Sequence, residues 1–315
     1  MVSIEIISKG IIMRVITQKT VGDASVLEVA EVAKPVPGAG QVLVEVGAAG
    51  VNPVDTYIRA GAFPALGEPP FTLGWDVAGT VEQAGEGAEF AVGDEVYGLL
   101  PFPGTGGGYA EYVVANAADL VLRPAHLTVE EAGAVPLVAL TAWQALVGRG
   151  GLSAGQRVLI HAAAGGVGHV AVQIAKARGA YVVGTASAAK HDFLRSLGAD
   201  ELVDYRHEDF TEIDPVDVVF DTIGGEYAER SAAVLKPGGV LVSIIPGNPG
   251  FDVDRAVDLG VRFELFGSVS ASGADLAALP QLRVQLDHVV PLADAAKAHE
   301  LVESRRTTGK VVLVP

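Results

Sequence analysis

The chain has no cysteine, and that one absence excludes disulfides, thiolate catalysis and cysteine-ligated zinc together. Basic residues are scarce as well: 22 lysines and arginines face 38 acids, for a net charge of −16. A surface of that sign repels phosphate backbones and anionic lipid, so neither nucleic acid nor a membrane is expected as a partner. No apolar run approaches the roughly 20 residues that span a bilayer. A basic stretch followed by a long apolar run and a cleavage site is also missing, and the expected location is the cytoplasm. The seven histidines show no metal spacing, with no pair at i, i+4 on an expected helix. What the chain has in quantity is apolar side chains, half of its residues, and 39 glycines gathered in short turn clusters. Its 315 residues suffice for two domains with their own cores.

The most informative of those clusters is His161-Ala-Ala-Ala-Gly-Gly-Val-Gly168. An apolar run of strand character, 157–161, precedes it, and a helical pattern over 170–178 follows, capped by Gly179. In the spacing GxGxxG the three positions fall on Ala163, Gly165 and Gly168, and only the last two are glycine. Those two carry the chemistry: Gly165 lets backbone approach a pyrophosphate, and Gly168 lets the helix lie close on the strand. The N–H groups of Ala164, Gly165, Gly166 and Val167 then face the phosphates at a helix N-terminus. A second strand, 181–185, follows at the right distance for a dinucleotide-binding unit.

An acid is expected about 20 residues beyond the glycines where NAD is bound, holding the ribose 2′-hydroxyl. Ala186 and Ser187 stand there instead, with no acid before Asp192. Ser187 and Lys190 offer a hydroxyl and a cation, and Tyr205 and Arg206 follow the third strand, which favours NADP(H) over NAD. The alternative, that Lys190 is a solvated helix residue, stays open.

Read in order, residues 1–12 resemble an N-terminal addition before a first strand at 13–18. Short strands follow at 27–32, 41–46, 77–83, 95–99 and 111–114, separated by turn signals, the pattern of an irregular all-β region. Around residue 134 the pattern changes: a helix over 138–147, then strands at 157–161, 181–185, 201–205, 216–221, 239–245 and 261–267 with helices between most of them. Such alternation predicts a parallel sheet covered on both faces. A strand at 287–290, a helix over 292–305 and a strand at 310–314 return to β character, so the chain is expected to cross back to its first domain.

Several longer stretches now carry a resemblance. They are Gly50-Val-Asn-Pro-Val-Asp-Thr-Tyr-Ile-Arg-Ala-Gly61, Leu73-Gly-Trp-Asp-Val-Ala-Gly-Thr-Val81, Val92-Gly-Asp-Glu-Val-Tyr97, Leu140-Thr-Ala-Trp143, the 161–168 turn with Ala171-Val-Gln-Ile-Ala-Lys176, Leu197-Gly-Ala199 and Gly309-Lys-Val-Val-Leu313. In this order the chain resembles the medium-chain dehydrogenase/reductase superfamily and, within it, the zinc-independent quinone oxidoreductases related to zeta-crystallin. The resemblance implies an α/β fold: a doubly wound, parallel, six-stranded Rossmann sheet (137–271) inserted in a mainly-β GroES-like catalytic domain (1–136 and 272–315). It implies NADP(H) in a cleft and homodimers formed through edge strands of the Rossmann domain. Zinc-dependent relatives hold their metal with cysteine, histidine and an acid or cysteine. Here Asn52 replaces the first ligand and Gly74-Trp-Asp76 stands in place of Gly-His-Glu, so no metal is expected.

By the same resemblance Asn52, Tyr57 and Thr141 lie near nicotinamide and substrate, and Lys310 approaches the cofactor. Asn52 would bond a ribose hydroxyl or an acceptor oxygen. Tyr57 is either a hydrogen-bonding partner of the acceptor or a pocket wall, and Thr141 either a nicotinamide contact or an interior hydroxyl. Lys310 before a terminal strand is otherwise a solvated residue. The strand ends at Ile223, Ile245, Ser268 and Val269 fall where a doubly wound sheet binds ligands. Asp55 reads first as an acid at a helix start and second as a general acid or base. His161 and His169 read as structural. Residues 270–285 are shorter than in the family and broken by Pro280, so that the helix is truncated or the connection rerouted. The reading that follows is reduction of a quinone by NADPH. Reduction of an enone or enal double bond stands beside it, and a crystallin-like or regulatory cofactor binder with little turnover is the alternative from another class.

Overall fold

Two units organise the computed structural model, which describes residues 12–245 and 250–315. One comprises the residues up to Leu137 with Ser270–Ala277 and Val284–Pro315; the other comprises Val138–Val269 and Ala278–Arg283. The expected N-terminal addition lies outside the described residues except for Ile12, where the first strand begins; Pro246 also lies outside them.

The second unit is built on six parallel strands. Across the sheet they run Glu201–Asp204, Tyr181–Ala186, Arg157–Ile160, Val216–Asp221, Leu235–Ser243 and Arg262–Leu265. In chain order this is 3-2-1-4-5-6, the doubly wound arrangement whose direction reverses between the first and fourth strands. The central strands are buried on both faces, which is why they read as unbroken apolar runs: Val158, Leu159, Ile160, Val219 and Phe220 are fully enclosed. The helix Gly168–Ala177 buries Val170, Ala171, Val172, Ile174 and Ala175, the face set by its 3.6-residue period. The helix expected over 138–147 is Pro136–Trp143 continued by a π-helical run, Gln144–Arg149.

The first unit holds a three-stranded sheet, Glu28–Ala33, Ile12–Gln18 and Phe71–Thr72, and a larger one. The larger sheet runs Leu286–Pro291, Lys310–Val314, Gln41–Val51, Asp76–Ala84, Glu95–Leu99 and Leu120–Leu122, with Tyr112–Asn116 also paired to Gln41–Val51. The returning chain completes this sheet: Val312 stands opposite Gly50 in an antiparallel pair. Between its last two strands, which are parallel to one another, lies the helix Ala295–Glu303. Short elements that escaped the sequence pattern include the helix Val129–Ala134 with its Thr128/Glu131 capping box and the strands Phe71–Thr72 and Leu120–Leu122. In the 270–285 stretch the only regular element is the five-residue helix Gly273–Ala277, so the helix there is truncated. No helix among the described residues is long and apolar enough to cross a membrane.

Candidate active site

In the second unit the glycine turn leaves the end of Arg157–Ile160 through a left-handed residue, and that residue is Ala162 (φ 45°) rather than a glycine. An alanine held there stores about 1 kcal/mol or more of backbone strain. Thr185 on the neighbouring strand holds it in place. Its hydroxyl accepts from Ala162 N (3.2 Å) and its carbonyl from Ala163 N (2.9 Å). Gly168 is required for close approach, since a Cβ would lie 2.4 Å from the Ala162 carbonyl and 2.7 Å from Ala163 Cα. At Gly165 the same test gives 3.1 Å to the Ala162 carbonyl, so its smallness matters less to the turn itself. The N–H of Gly165 is spent on Ala162 O (2.8 Å), whereas Ala164, Gly166 and Val167 donate no backbone hydrogen bond to the described residues. Three free N–H groups at the start of a ten-residue helix make an anion cradle. These residues fit the pyrophosphate of a nicotinamide cofactor.

The turn after the second strand begins at Ser187, which is nearly buried and makes no capping bond, and continues through Ala188–Lys190. Tyr205 is exposed just past the third strand, with the Arg206 guanidinium 5.8 Å from its ring centre. Sequence reasoning missed Asp204 at that strand's end. Its carboxylate accepts from His207 Nδ1 (2.8 Å) and Arg206 N (3.2 Å). It also bonds the backbone of Ala188, and these contacts, led by His207, hold its pKa below the ordinary value. An acid does therefore stand beside this turn, delivered by the third strand rather than the second.

At the fourth strand's end Asp221 shapes the loop: Oδ1 accepts from Ile223 N (2.9 Å) and Gly224 N (2.8 Å), and Oδ2 from the Ser243 hydroxyl (2.9 Å). The Ile223 N–H is thus already used, leaving its carbonyl and its exposed side chain for a ligand. Ile245 follows Ser243 half-buried, while Ser268 is exposed and Val269 buried. Thr141 is buried inside the helix Pro136–Trp143. His161 is enclosed between Ser231 Oγ (2.7 Å from Nε2) and Thr185 Oγ1 (3.2 Å from Nδ1), and burial pushes its pKa down to about 3. His169 Nδ1 lies 2.9 Å from Gly165 O. Both are structural.

The first unit presents a different construction, a buried polar cluster. Asn52 precedes the helix Pro53–Arg59. Its Nδ2 donates to Asp76 Oδ2 (2.8 Å), its Oδ1 accepts from Lys310 Nζ, and Lys310 Nζ also donates to Val51 O (3.1 Å). Lys310 is 3 % exposed and its Nζ is 3.6 Å from Asp76 Oδ2, so it is an internal cation and not the solvated residue of one sequence reading. Asp76 Oδ1 accepts from Leu137 N. Burial pushes Asp76 up and Lys310 down. Three acceptors around Nζ and a donor on each carboxylate oxygen hold the pair ionised. Gly50 makes room for it, because a Cβ there would lie 2.5 Å from Asp76 Oδ2.

A second chain of bonds starts at Asp55. Its Oδ2 accepts from Asn52 N (2.8 Å) and from the Tyr109 hydroxyl (2.7 Å). Tyr109 Oη is 3.2 Å from His299 Nε2, His299 Nδ1 is 3.2 Å from Arg59 Nη1, and Arg59 Nη2 reaches Glu303 (2.6 Å). A guanidinium cannot accept, so His299 Nδ1 carries the lone pair and Nε2 the proton. Every donor then points from Arg59 through His299 and Tyr109 towards Asp55. Arginine does not release its proton, so the chain holds Asp55 without relaying protons from solvent. Burial, with a smaller contribution from Asp76, raises Asp55 to about 7; burial beside Arg59 lowers His299 to about 3. The geometry is that of the helix-start reading of Asp55. Tyr57, two residues further along the same helix, is 45 % exposed and free to meet a ligand. Sequence reasoning missed Arg59, Tyr109 and His299. The only local signal was the Asp55/Arg59 spacing on one helix.

Residues 197–313 match the family described as zinc-binding dehydrogenase, and residues 38–125 the alcohol dehydrogenase GroES-like domain. The chain is 35 % identical to a quinone oxidoreductase of Sus scrofa, covering 90 % of this chain and 92 % of that one. It belongs to the quinone oxidoreductases of the medium-chain dehydrogenase/reductase superfamily. At 35 % identity it also matches a 2-haloacrylate reductase of Burkholderia sp, over 89 % of this chain and 92 % of the relative. The Escherichia coli quinone oxidoreductase complexed with NADPH superposes with a TM-score of 0.84 at 30 % identity, covering 96 % of this chain and all of that one. This medium-chain reductase is accordingly an NAD(P)H-dependent oxidoreductase acting on a small molecule. A zinc ion, which one family description implies, does not fit the residues present. Among the described residues no group of three histidines, cysteines or acids could hold a metal, and the carboxylate of Asp76 already faces an ammonium.

Proposed function

We propose that the chain reduces quinones with NADPH, without a metal. The observation that carries the cofactor half is the turn after the second strand. Ser187 and Lys190 stand where an NAD enzyme has a carboxylate, and the nearby Asp204 is engaged by His207 and two backbone groups. In this reading Ser187, Lys190 and Tyr205 hold the 2′-phosphate. Ala164, Gly165, Gly166 and Val167 approach the pyrophosphate, the first, third and fourth through their N–H groups. Thr141, Ile223, Ile245, Ser268 and Val269 line the ribose and nicotinamide.

Bound NADPH supplies the hydride. Asn52 and Tyr57 then orient the acceptor, Asn52 by a hydrogen bond to its oxygen and Tyr57 by its exposed ring and hydroxyl. Lys310, buried against Val51 O and Asn52 Oδ1, serves here by holding Asn52. With no Lewis acid to polarise an alcohol, acceptors that spread negative charge over their own π system are favoured, and quinones do so best. The 2-haloacrylate reductase relative, at an identity equal to that of the pig enzyme, favours a second reading, reduction of an activated carbon–carbon double bond.

Stopped-flow oxidation of NADPH and of NADH by 1,4-benzoquinone, 9,10-phenanthrenequinone and trans-2-hexenal tests both. Fast quinone-dependent oxidation preferring NADPH is the expected result. Turnover with the enal alone moves the assignment to double-bond reduction, and equal use of NADH removes the 2′-phosphate site. The same proposal includes a homodimer through the outer edge of Arg262–Leu265, which among the described residues pairs on one side only and exposes Leu265. Light scattering on the purified chain should give twice the monomer mass.

A further inference from the structure

Asparagine is a donor at one end of its carboxamide and an acceptor at the other, and which end meets a ligand decides what that ligand can be. At Asn52 two charged neighbours make the choice. Lys310 Nζ has three hydrogens and no lone pair, so the end of Asn52 that faces it must be the oxygen. Asp76 as a carboxylate has lone pairs and no hydrogen, so the end that faces it must be the amide nitrogen. Reversing the amide would set N–H against N–H at Lys310 and oxygen against oxygen at Asp76. The backbone is fixed separately, by the bond from Asn52 N to Asp55 Oδ2. Each partner of Asn52 is itself anchored: Lys310 on Val51 O and Asp76 on Leu137 N.

We infer that Asp76 is a positioning residue. Together with Lys310 it locks the Asn52 carboxamide with its oxygen towards the ammonium and one hydrogen of Nδ2 not given to Asp76, so that Nδ2 is the end held ready as a donor. The inference rests on the proposal that Asn52 contacts the reacting molecules. It narrows the substrate class to compounds presenting a lone pair at that point, a carbonyl oxygen that gains charge as hydride arrives. A donor fixed before the reaction is worth more than one that must turn to meet the charge.

The test compares wild type with Asp76→Asn and with Asp76→Asn/Lys310→Met. The single change strands a buried ammonium and is expected to lower stability; the pair removes both charges and should recover it. Recovery of stability without recovery of kcat is the expected signature: kcat for benzoquinone about 10- to 100-fold down in the double variant, with KM for NADPH changed far less. A double variant as active as wild type would make Asp76 merely structural and overturn the inference. A second readout needs neither turnover nor a stable variant. In wild type labelled with 15N-asparagine, the two side-chain amide protons of Asn52 should exchange slowly with solvent and show no exchange cross-peak with each other, because the lock stops the slow C–N rotation that a free primary amide undergoes. Exchange cross-peaks at the rate of a free asparagine amide, with fast solvent exchange, would overturn the lock. If wild type oxidises no NADPH with any acceptor, the proposed function fails, and the amide resonances still decide whether Asp76 positions Asn52.

Discussion

The two units of this reductase prepare their chemistry in opposite ways. In the second unit the ligand-facing groups are backbone N–H donors of a contiguous turn, shaped by one left-handed alanine and one glycine without room for a Cβ. In the first unit they are side chains brought together from far apart, Asn52 with Asp76 across 24 residues and with Lys310 across 258. The buried histidines repeat the contrast. His161 sits between two hydroxyls that can each give or take a proton, against the rings of Phe210 and Tyr227. His299 sits between a hydroxyl and a guanidinium that fix its tautomer. A backbone site is spoiled by volume, whereas a side-chain site is spoiled by charge.

The largest expected effect follows from volume. Gly168→Ala puts a methyl group 2.4 Å from a carbonyl oxygen that cannot move without undoing the turn. A loss of about 3 kcal/mol in urea unfolding is expected, with NADPH affinity lowered about 100-fold or more as the cradle distorts. An alanine variant that binds NADPH normally would mean that the turn adapts, and the contrast with the first unit would weaken.

Charge comes next, through pH. Asp55, raised to about 7 when folded, binds a proton more tightly than the unfolded chain does. Its contribution is complete below about pH 4 and is lost as pH rises through 7. His161 and His299, each lowered to about 3, contribute in the other direction: their stability is present above about pH 6.5 and is lost as pH falls towards 3. Asp55→Asn should therefore gain on wild type steadily between pH 4 and 7 and then run parallel to it. His299→Gln should flatten the acid limb by about one proton, a slope of about 1.4 kcal/mol per pH unit. Denaturation midpoints across pH 3–8 read both slopes, and parallel curves for wild type and Asp55→Asn throughout would show that Asp55 is already ionised in the fold.

A smaller effect separates the cofactors. Ser187→Ala with Lys190→Ala should weaken NADPH by about 10- to 100-fold, the value of one or two charge-assisted bonds, and leave NADH nearly unchanged. Equal losses for the two cofactors in a fluorescence titration would remove both residues from the 2′-phosphate.

The same contrast explains what the sequence made legible. The strand, glycine turn and helix around 157–177 form one local pattern, so the doubly wound sheet could be read. The crossing back of 310–314 onto the first domain followed from its return to β character and from the family motifs. Ala162 was not legible as the left-handed residue, because nothing local distinguishes it from Ala163 or Ala164. Nor was the cluster around Asn52, since Tyr109, His299 and Lys310 are each unremarkable among their neighbours in sequence. Only the pairing of Lys310–Val314 with Gln41–Val51 puts Lys310 within reach of Asn52. Asp204 was missed for a related reason: the acid was sought at the end of the second strand, and the third supplied one.

The smallest expected effect is none at all. Dialysis against EDTA and a stronger chelator, followed by assay in metal-free buffer, should leave NADPH oxidation unchanged. The groups that could ligate a metal are already committed. Asn52 presents an amide whose oxygen is taken by an ammonium, Trp75 stands between Gly74 and Asp76 where a histidine ligand would be needed, and Asp76 is held by Asn52, Leu137 and Lys310. A divalent cation entering there would have to displace a lysine that already satisfies the same oxygens, against the repulsion of a positive charge 3.6 Å from the carboxylate. Lys310→Met is the variant that sharpens the point. With the ammonium gone, Asp76 becomes an unpaired buried acid, and any cation affinity this cluster can have would emerge in that variant and be detectable by calorimetry with zinc. Turnover that disappears on chelation of the wild type and returns with zinc would show that the ammonium and the metal can exchange places, and the metal-free reading of this site would fall.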